Sequence, residues 1–136
     1  MNKDKRDRLV LVKIIHYCKS VSRAADRFGS GAEALEQDED YRDSVAMKIL
    51  QIGELTTHLS DGFKEKHSEI PWQRIKDMRN IAAHGYHKFD TERMWATMTE
   101  RIPALLEYCN RVIETDISKE VSSPEPEQGF EHEMRL

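Results

Sequence analysis

The sequence predicts an all-α protein: an antiparallel four-helix bundle with short additional helices and a disordered C-terminal tail. Three observations predict it. Four stretches place apolar residues at alternating steps of three and four, the spacing that lines one side of a helix. No run alternates with a strand's period of two. Only 6 Gly and 4 Pro interrupt the 136 residues, and 38% hydrophobic with 34% charged residues suits a single charged-surfaced domain around one core.

The first long helix is expected from Arg6 to Phe28, with Leu11, Ile14, Cys18, Val21, Ala25 and Phe28 on its inner side. Gly29 and Gly31 stop it, and "AEALEQDED" reads as a short helix or loop. A second long helix runs from about Asp40 to Leu59, turning Tyr41, Val45, Ile49, Ile52, Thr56 and Leu59 inward. Gly53 in its middle costs about 1 kcal/mol against alanine, which close approach of a neighbouring helix would explain. "SDG" closes this helix, and "FKEKHSEI" forms a short helix or turn leading to Pro71. Proline suits the first helical position because the amide it lacks would have gone unpaired anyway.

The third substantial helix carries Trp72, Ile75, Met78 and Ala82 inward, and Gly85 supplies the left-handed residue that closes many helices. Asp90 or Thr91 is expected to cap the last helix, whose stripe is Met94, Met98, Ile102, Leu105, Cys109 and Val112. Pro103 inside that helix removes a hydrogen bond and predicts a bend. Residues 1–117 thus form the helical domain. Residues 118–136, rich in proline, serine and acid without periodicity, form an acidic, disordered tail.

Several function classes fall away. No apolar run approaches the roughly 18 to 20 residues that cross a bilayer, and the N-terminus lacks a small-residue cleavage site, so a cytoplasmic protein with no membrane partner is expected. Cys18 and Cys109 lie far apart inside apolar patterns and read as buried free thiols. The net charge of −4 argues against nonspecific nucleic-acid binding through the whole surface. Much of that charge belongs to the tail, which leaves the body free to hold a local basic patch. No cofactor or metal is expected. Glu54 and His58 are one turn apart, but a di-iron bundle needs carboxylates on several helices, and His84 and His87 lack a third ligand. Glu54, beside the inner stripe, reads equally as a surface residue or a buried hydrogen-bond partner.

Polar chemistry concentrates in "MRNIAAHGYHKFD", residues 78–90. On a helix Asn80 and His84 share a face, whereas Arg79 sits about 140° around from His84. The two meet only if the helix tightens or unwinds at Gly85, or if a second copy of the motif faces the first across a dimer. The local residues alone also describe a plain helix end, with a basic residue near the last carbonyls, a glycine turn and an amphipathic tyrosine.

The order Arg79-Asn-Ile-Ala-Ala-His84-Gly-Tyr86 resembles the signature of the HEPN superfamily, in its HepT-like toxin branch. "RDRLVLVKII", "YRDSVAMKILQIGEL" and "IPWQRIKDMRNIAAHGY" read like segments of that family in the same order, over about residues 6–113. The resemblance implies a helical homodimer whose two motifs lie near a shared cleft, and a metal-independent ribonuclease. It places Arg79 and His84 at the functional positions and Tyr86 at the third. It also implies a toxin encoded beside a small nucleotidyltransferase, which acts as antitoxin and transfers AMP to the motif tyrosine. Tyr41, Tyr17 and Tyr108 are the next acceptors to consider. Where many relatives have Asp after the histidine, this chain has Gly85, so no acidic side chain can act there.

Those residues suit RNA cleavage because RNA carries its own nucleophile, the 2′-hydroxyl. The protein need only move protons and stabilise charge on the phosphate. Arginine's planar fork fits a phosphate and stays charged, which assigns transition-state stabilisation to Arg79. Histidine titrates near neutral pH, so His84 serves as general base, general acid, or both through two subunits. Asn80 would orient the imidazole or bind phosphate. Tyr86 would stack on a base or position the phosphate, and its hydroxyl suits a nucleotidyl group. The alternative reading is a noncatalytic helical dimer that binds the nucleotidyltransferase or a nucleotide. The negative net charge and the wide angle between Arg79 and His84 favour it.

Overall fold

The computed structural model describes residues 2–83 and 88–121, and among them every regular element is helical. Helix α1 (Lys3–Phe28) begins where Asn2 caps it, the side-chain oxygen accepting the Lys5 N–H at 2.9 Å. It ends at Gly29, whose φ of 116° lies in the region that favours glycine. Leu11, Ile14, Cys18 and Val21 are buried as the spacing predicts, while Ala25 and Phe28 are only partly covered. Helix α2 (Ala32–Gln37) is a short helix that drives Leu35 into the core.

Helix α3 (Glu39–Thr56) is capped by Asp38, whose side chain accepts the Tyr41 N–H at 3.2 Å. Tyr41 is wholly buried, donates its hydroxyl to the Gly29 carbonyl at 3.0 Å and stacks on Phe28, so it ties the end of α1 to the start of α3. The helix stops three residues before Leu59. The N–H groups of Thr57, His58 and Leu59 bond to carbonyls three residues back, tightening the last turn while still delivering Leu59 to the core.

The Ser-Asp-Gly expected to close α3 lies beyond its end at Thr56 and instead opens a new helix, α4 (Asp61–Lys66). Ser60 caps it by accepting the Phe63 N–H at 3.1 Å. Asp7 of α1 holds Ser60 in turn, its carboxylate accepting the Ser60 N–H at 2.8 Å and hydroxyl at 2.6 Å. Asp7 is only 5% exposed, and a buried carboxylate is tolerated when donors of this kind surround it.

Helix α5 (Trp72–Ala83) buries Ile75 and Met78. Pro71 stands one position before it rather than inside it, and its carbonyl accepts the Ile75 N–H at 3.1 Å. Trp72 is partly buried and donates its indole N–H to the His67 carbonyl at 3.0 Å. The side chain of Ala82 and the closing role assigned to Gly85 fall outside the described residues.

Helix α6 (Lys88–Ala96) is already under way before the residues expected to cap it. Asp90 sits in its first turn, where a carboxylate still meets the positive helix end, and Thr91 is fully buried. A π turn (Thr97–Arg101) then leads into α7 (Ile102–Val121). The disturbance predicted from Pro103 takes this form. Proline offers no N–H to the carbonyl four residues back, at Thr99, and the Ile102 N–H reaches Thr97, five residues back. Helix α7 continues to Val121. The remainder of the expected tail, 122–136, lies outside the described residues.

The core forms where α1 packs on α3 and α7, α3 on α5, and α2 on α6. Cys18 and Cys109 are buried free thiols, and burial pushes both well above the ordinary thiol range, which keeps them protonated. Among the described residues no helix is long and apolar enough to cross a membrane.

Candidate active site

The site begins with a missing side chain. Gly53 is buried in α3 against α5, and a Cβ there would lie 2.5 Å from Arg79 Cγ, 3.2 Å from Arg79 Cδ and 3.3 Å from the Lys76 carbonyl oxygen. Only glycine lets the arginine stem lie across the α3 backbone. The mid-helix glycine therefore has the reason its sequence position suggested, close approach of a neighbouring helix.

That path delivers the guanidinium to the next residue of α3. Arg79 Nη1 donates to Glu54 Oε1 in an ion pair, and Arg79 Nε donates to the Lys76 carbonyl at 3.3 Å, within its own helical turn. Glu54 is thus neither a bare surface residue nor a buried one. Its side chain is 47% exposed, and that of Arg79 is 33% exposed. An exposed pair of this kind contributes about 0–1 kcal/mol to stability, so its effect lies chiefly in fixing the direction of the guanidinium. Among the described residues the other N–H donors of the fork have no partner, and a planar fork with open donors has the geometry to accept an anion.

Of the sequence-derived site residues, Arg79 and Asn80 lie on α5, and Asn80 is exposed. His84, Tyr86 and the neighbouring Gly85 and His87 lie outside the described residues. They fall in sequence between the end of α5 at Ala83 and the start of α6 at Lys88. The structure therefore relates Arg79 to α3, and the pairing of Arg79 with His84 rests on the sequence motif.

Glu54 is the functional candidate that periodicity did not assign. It stands 25 residues from Arg79, with helix α4 and the connections on either side of it between them. The legible signal was its neighbour, the glycine in the middle of a helix opposite a motif arginine.

The other tyrosines have different surroundings. Tyr41 is wholly buried, and burial raises its hydroxyl above the ordinary range. Tyr108 donates its hydroxyl to Glu69 and accepts from His67 Nδ1 at 2.7 Å. Its own pKa is raised, by burial first and then by the hydrogen bond to Glu69. Tyr17 is partly buried beside the His16 ring.

A family model described as Ribonuclease HepT-like matches residues 14–112. The chain is 39% identical over 68 residues to a protein of Thermococcus cleftensis named "Probable ribonuclease HepT", covering 50% of this chain and 62% of that protein. It is 32% identical over 65 residues to a "Putative RNase" of Caldanaerobacter subterraneus, covering 48% and 58%. A second protein of that description, from Methanocaldococcus jannaschii, is 27% identical over 78 residues, covering 51% and 72%. The match thus spans less than two thirds of the first two relatives' length. No solved structure matches the chain.

Proposed function

The chain belongs to the HepT-like family of the HEPN superfamily, and from that membership we propose that it is a metal-independent endoribonuclease with Arg79 and His84 as its catalytic pair. The observation that carries this reading is Arg79, whose guanidinium is aimed by Glu54 and Lys76 while its side chain stays one-third exposed. A purely structural arginine has no need of an open face. A phosphate-binding one does.

In the reaction, a base takes the proton of the ribose 2′-hydroxyl, and the 2′-oxygen attacks the adjacent phosphorus. The bond from phosphorus to the 5′-oxygen breaks, and that oxygen takes a proton from the acid. The products are a 2′,3′-cyclic phosphate and a 5′-hydroxyl. His84 supplies the base, and the acid is either the same imidazole after protonation or His84 of a second copy. Arg79 offsets the negative charge that builds on the nonbridging oxygens. Asn80 and Tyr86 hold the RNA. A homodimer suits this scheme because the family pattern brings two motifs to one cleft.

Purified protein is expected to cut single-stranded RNA in the presence of EDTA and to leave 2′,3′-cyclic phosphate ends, and His84→Ala should remove the cuts without changing the circular dichroism spectrum. Cleavage that disappears with EDTA, or that leaves 3′-hydroxyl ends, would overturn the reading.

The proposal extends to control. The protein acts in the cytoplasm as the toxin of a pair, neutralised by a small nucleotidyltransferase that transfers AMP to Tyr86. The phenolic oxygen attacks the α-phosphorus of ATP, a tyrosyl phosphodiester forms, pyrophosphate leaves, and the phenolic proton passes to a base. The added negative charge beside the cleft repels RNA. Burial of Tyr41 and the engaged hydroxyl of Tyr108 support Tyr86 as acceptor. Tyr86→Phe should abolish labelling by the partner with radiolabelled ATP, and label retained by the variant would move the acceptor elsewhere.

A further inference from the structure

A second cationic feature lies on another flank of α3. Lys48 and Gly53 are about 140° apart around the helix axis, so the side of α3 that carries Lys48 is not the side that meets α5. There a solvent-open hollow of about 540 Å³ is lined by Ser20, Arg23 and Arg27 from α1 and by Ser44 and Lys48 from α3, with Asp26 as the acidic residue in the lining.

The cations are gathered rather than paired off. Lys48 Nζ bonds to the hydroxyl of Ser44 and lies 3.4 Å from the Ser44 carbonyl, both within its own helix. Its ammonium is held below the ordinary lysine range by burial and then by the like charge of Arg23. Arg27 is fixed over the Phe28 ring at 5.3 Å, and Phe28 is itself stacked on the buried Tyr41. In a chain of net charge −4, three cations and two hydroxyls around one hollow form a concentrated, partly preorganised positive patch. The mutual repulsion of Arg23 and Lys48 is relieved when an anion enters.

We propose that this α1–α3 groove binds a backbone phosphate of single-stranded RNA at a point removed from the scissile bond. The choice of RNA as the ligand rests on the ribonuclease reading. Lysine as a point charge, arginine forks and serine hydroxyls together suit the nonbridging oxygens of a phosphodiester. Lys48 and Glu54 are about 9 Å apart along the α3 axis at the usual helical rise, so one strand can reach both flanks within a few nucleotides. The groove therefore acts on affinity for long RNA and leaves the chemical step untouched.

The test uses the full chain with Lys48→Met combined with Arg23→Gln, and separately Arg23→Glu, which changes one exposed side chain. Binding of a fluorescent single-stranded RNA is followed by anisotropy over a range of salt concentrations, and cleavage of a dinucleotide too short to span both points is measured beside it. The double variant is expected to bind the long RNA about tenfold more weakly, and the slope of log K against log salt should shrink by about 0.7 for each phosphate that is no longer neutralised. Dinucleotide cleavage should be unchanged. Binding needs no turnover, so a protein that binds RNA through these residues without cutting it would sink the nuclease reading and leave the groove standing. Unchanged affinity and slope in both variants would overturn the proposal. So would variants that lose the nucleotidyltransferase while keeping RNA, which would assign the groove to an acidic protein surface.

Discussion

Arg79→Ala is expected to lower kcat/KM for RNA by about 10²–10³-fold, the usual loss when one preorganised donor to a developing oxyanion is removed. The melting temperature should move little. The ion pair that disappears is exposed on both sides, and such pairs contribute at most about 1 kcal/mol. Arg79→Lys keeps the charge but not the planar fork, so it should recover only a small part of the loss. Glu54→Gln keeps the shape of the partner and removes its charge, and a tenfold or smaller fall, carried by kcat, is expected from looser aim of the guanidinium. Because Glu54 acts through Arg79, the double variant Glu54→Gln/Arg79→Ala should be no worse than Arg79→Ala alone. Full additivity of the two losses would assign Glu54 a separate role and detach it from the arginine. An Arg79→Ala protein that still cuts at the normal rate would end the catalytic assignment altogether.

Much of this geometry is legible in the order of the residues. The stripes of α1 and α3 appear where alternating steps of three and four put them, with Leu11, Ile14, Cys18, Val21, Val45, Ile49 and Ile52 all buried. Periodicity reports what one helix hides, and it is silent on what two helices share. Asp7 holding Ser60 spans 53 residues, and Glu54 holding Arg79 spans 25, so neither pairing leaves a local trace. The boundary errors have a different cause. Ser60, Asp90 and Thr91 have side chains that suit more than one place at a helix end, and local preference cannot say whether such a residue closes one helix, caps another or lies inside the first turn. Pro103 announced a disturbance but not its form, since relaying the hydrogen bonds through a π turn depends on the residues before it. Gly53 is the instructive position. A residue that weakens its own helix by about 1 kcal/mol invites the question of what approaches it, and the answer is the stem of the candidate catalytic arginine.

Gly53→Ala should therefore damage activity far more than stability. Two effects on stability oppose each other. Alanine in a helix interior is favoured over glycine by about 1 kcal/mol, while forcing a methyl into a filled contact costs about 1–3 kcal/mol. The added Cβ would stand 2.5 Å from Arg79 Cγ, which belongs to a flexible stem and can swing away, and 3.3 Å from the Lys76 carbonyl, which is backbone and must yield by a few tenths of an ångström. The net stability change is then small, because the stem absorbs most of the collision. Its movement is what the active site cannot absorb. Once the stem leaves the α3 backbone, the guanidinium loses its line to Glu54, and a displacement on the scale of an ångström in a positioning group costs about 10²-fold in rate. The expected signature is a fall in kcat with a near-normal melting temperature, and almost no further loss when Arg79→Ala is added. Gly53→Val, with a branched side chain and no flexible way out, should instead lower the melting temperature strongly by separating α3 from α5. Wild-type kcat in Gly53→Ala would mean that the path of the arginine over α3 does not limit the reaction.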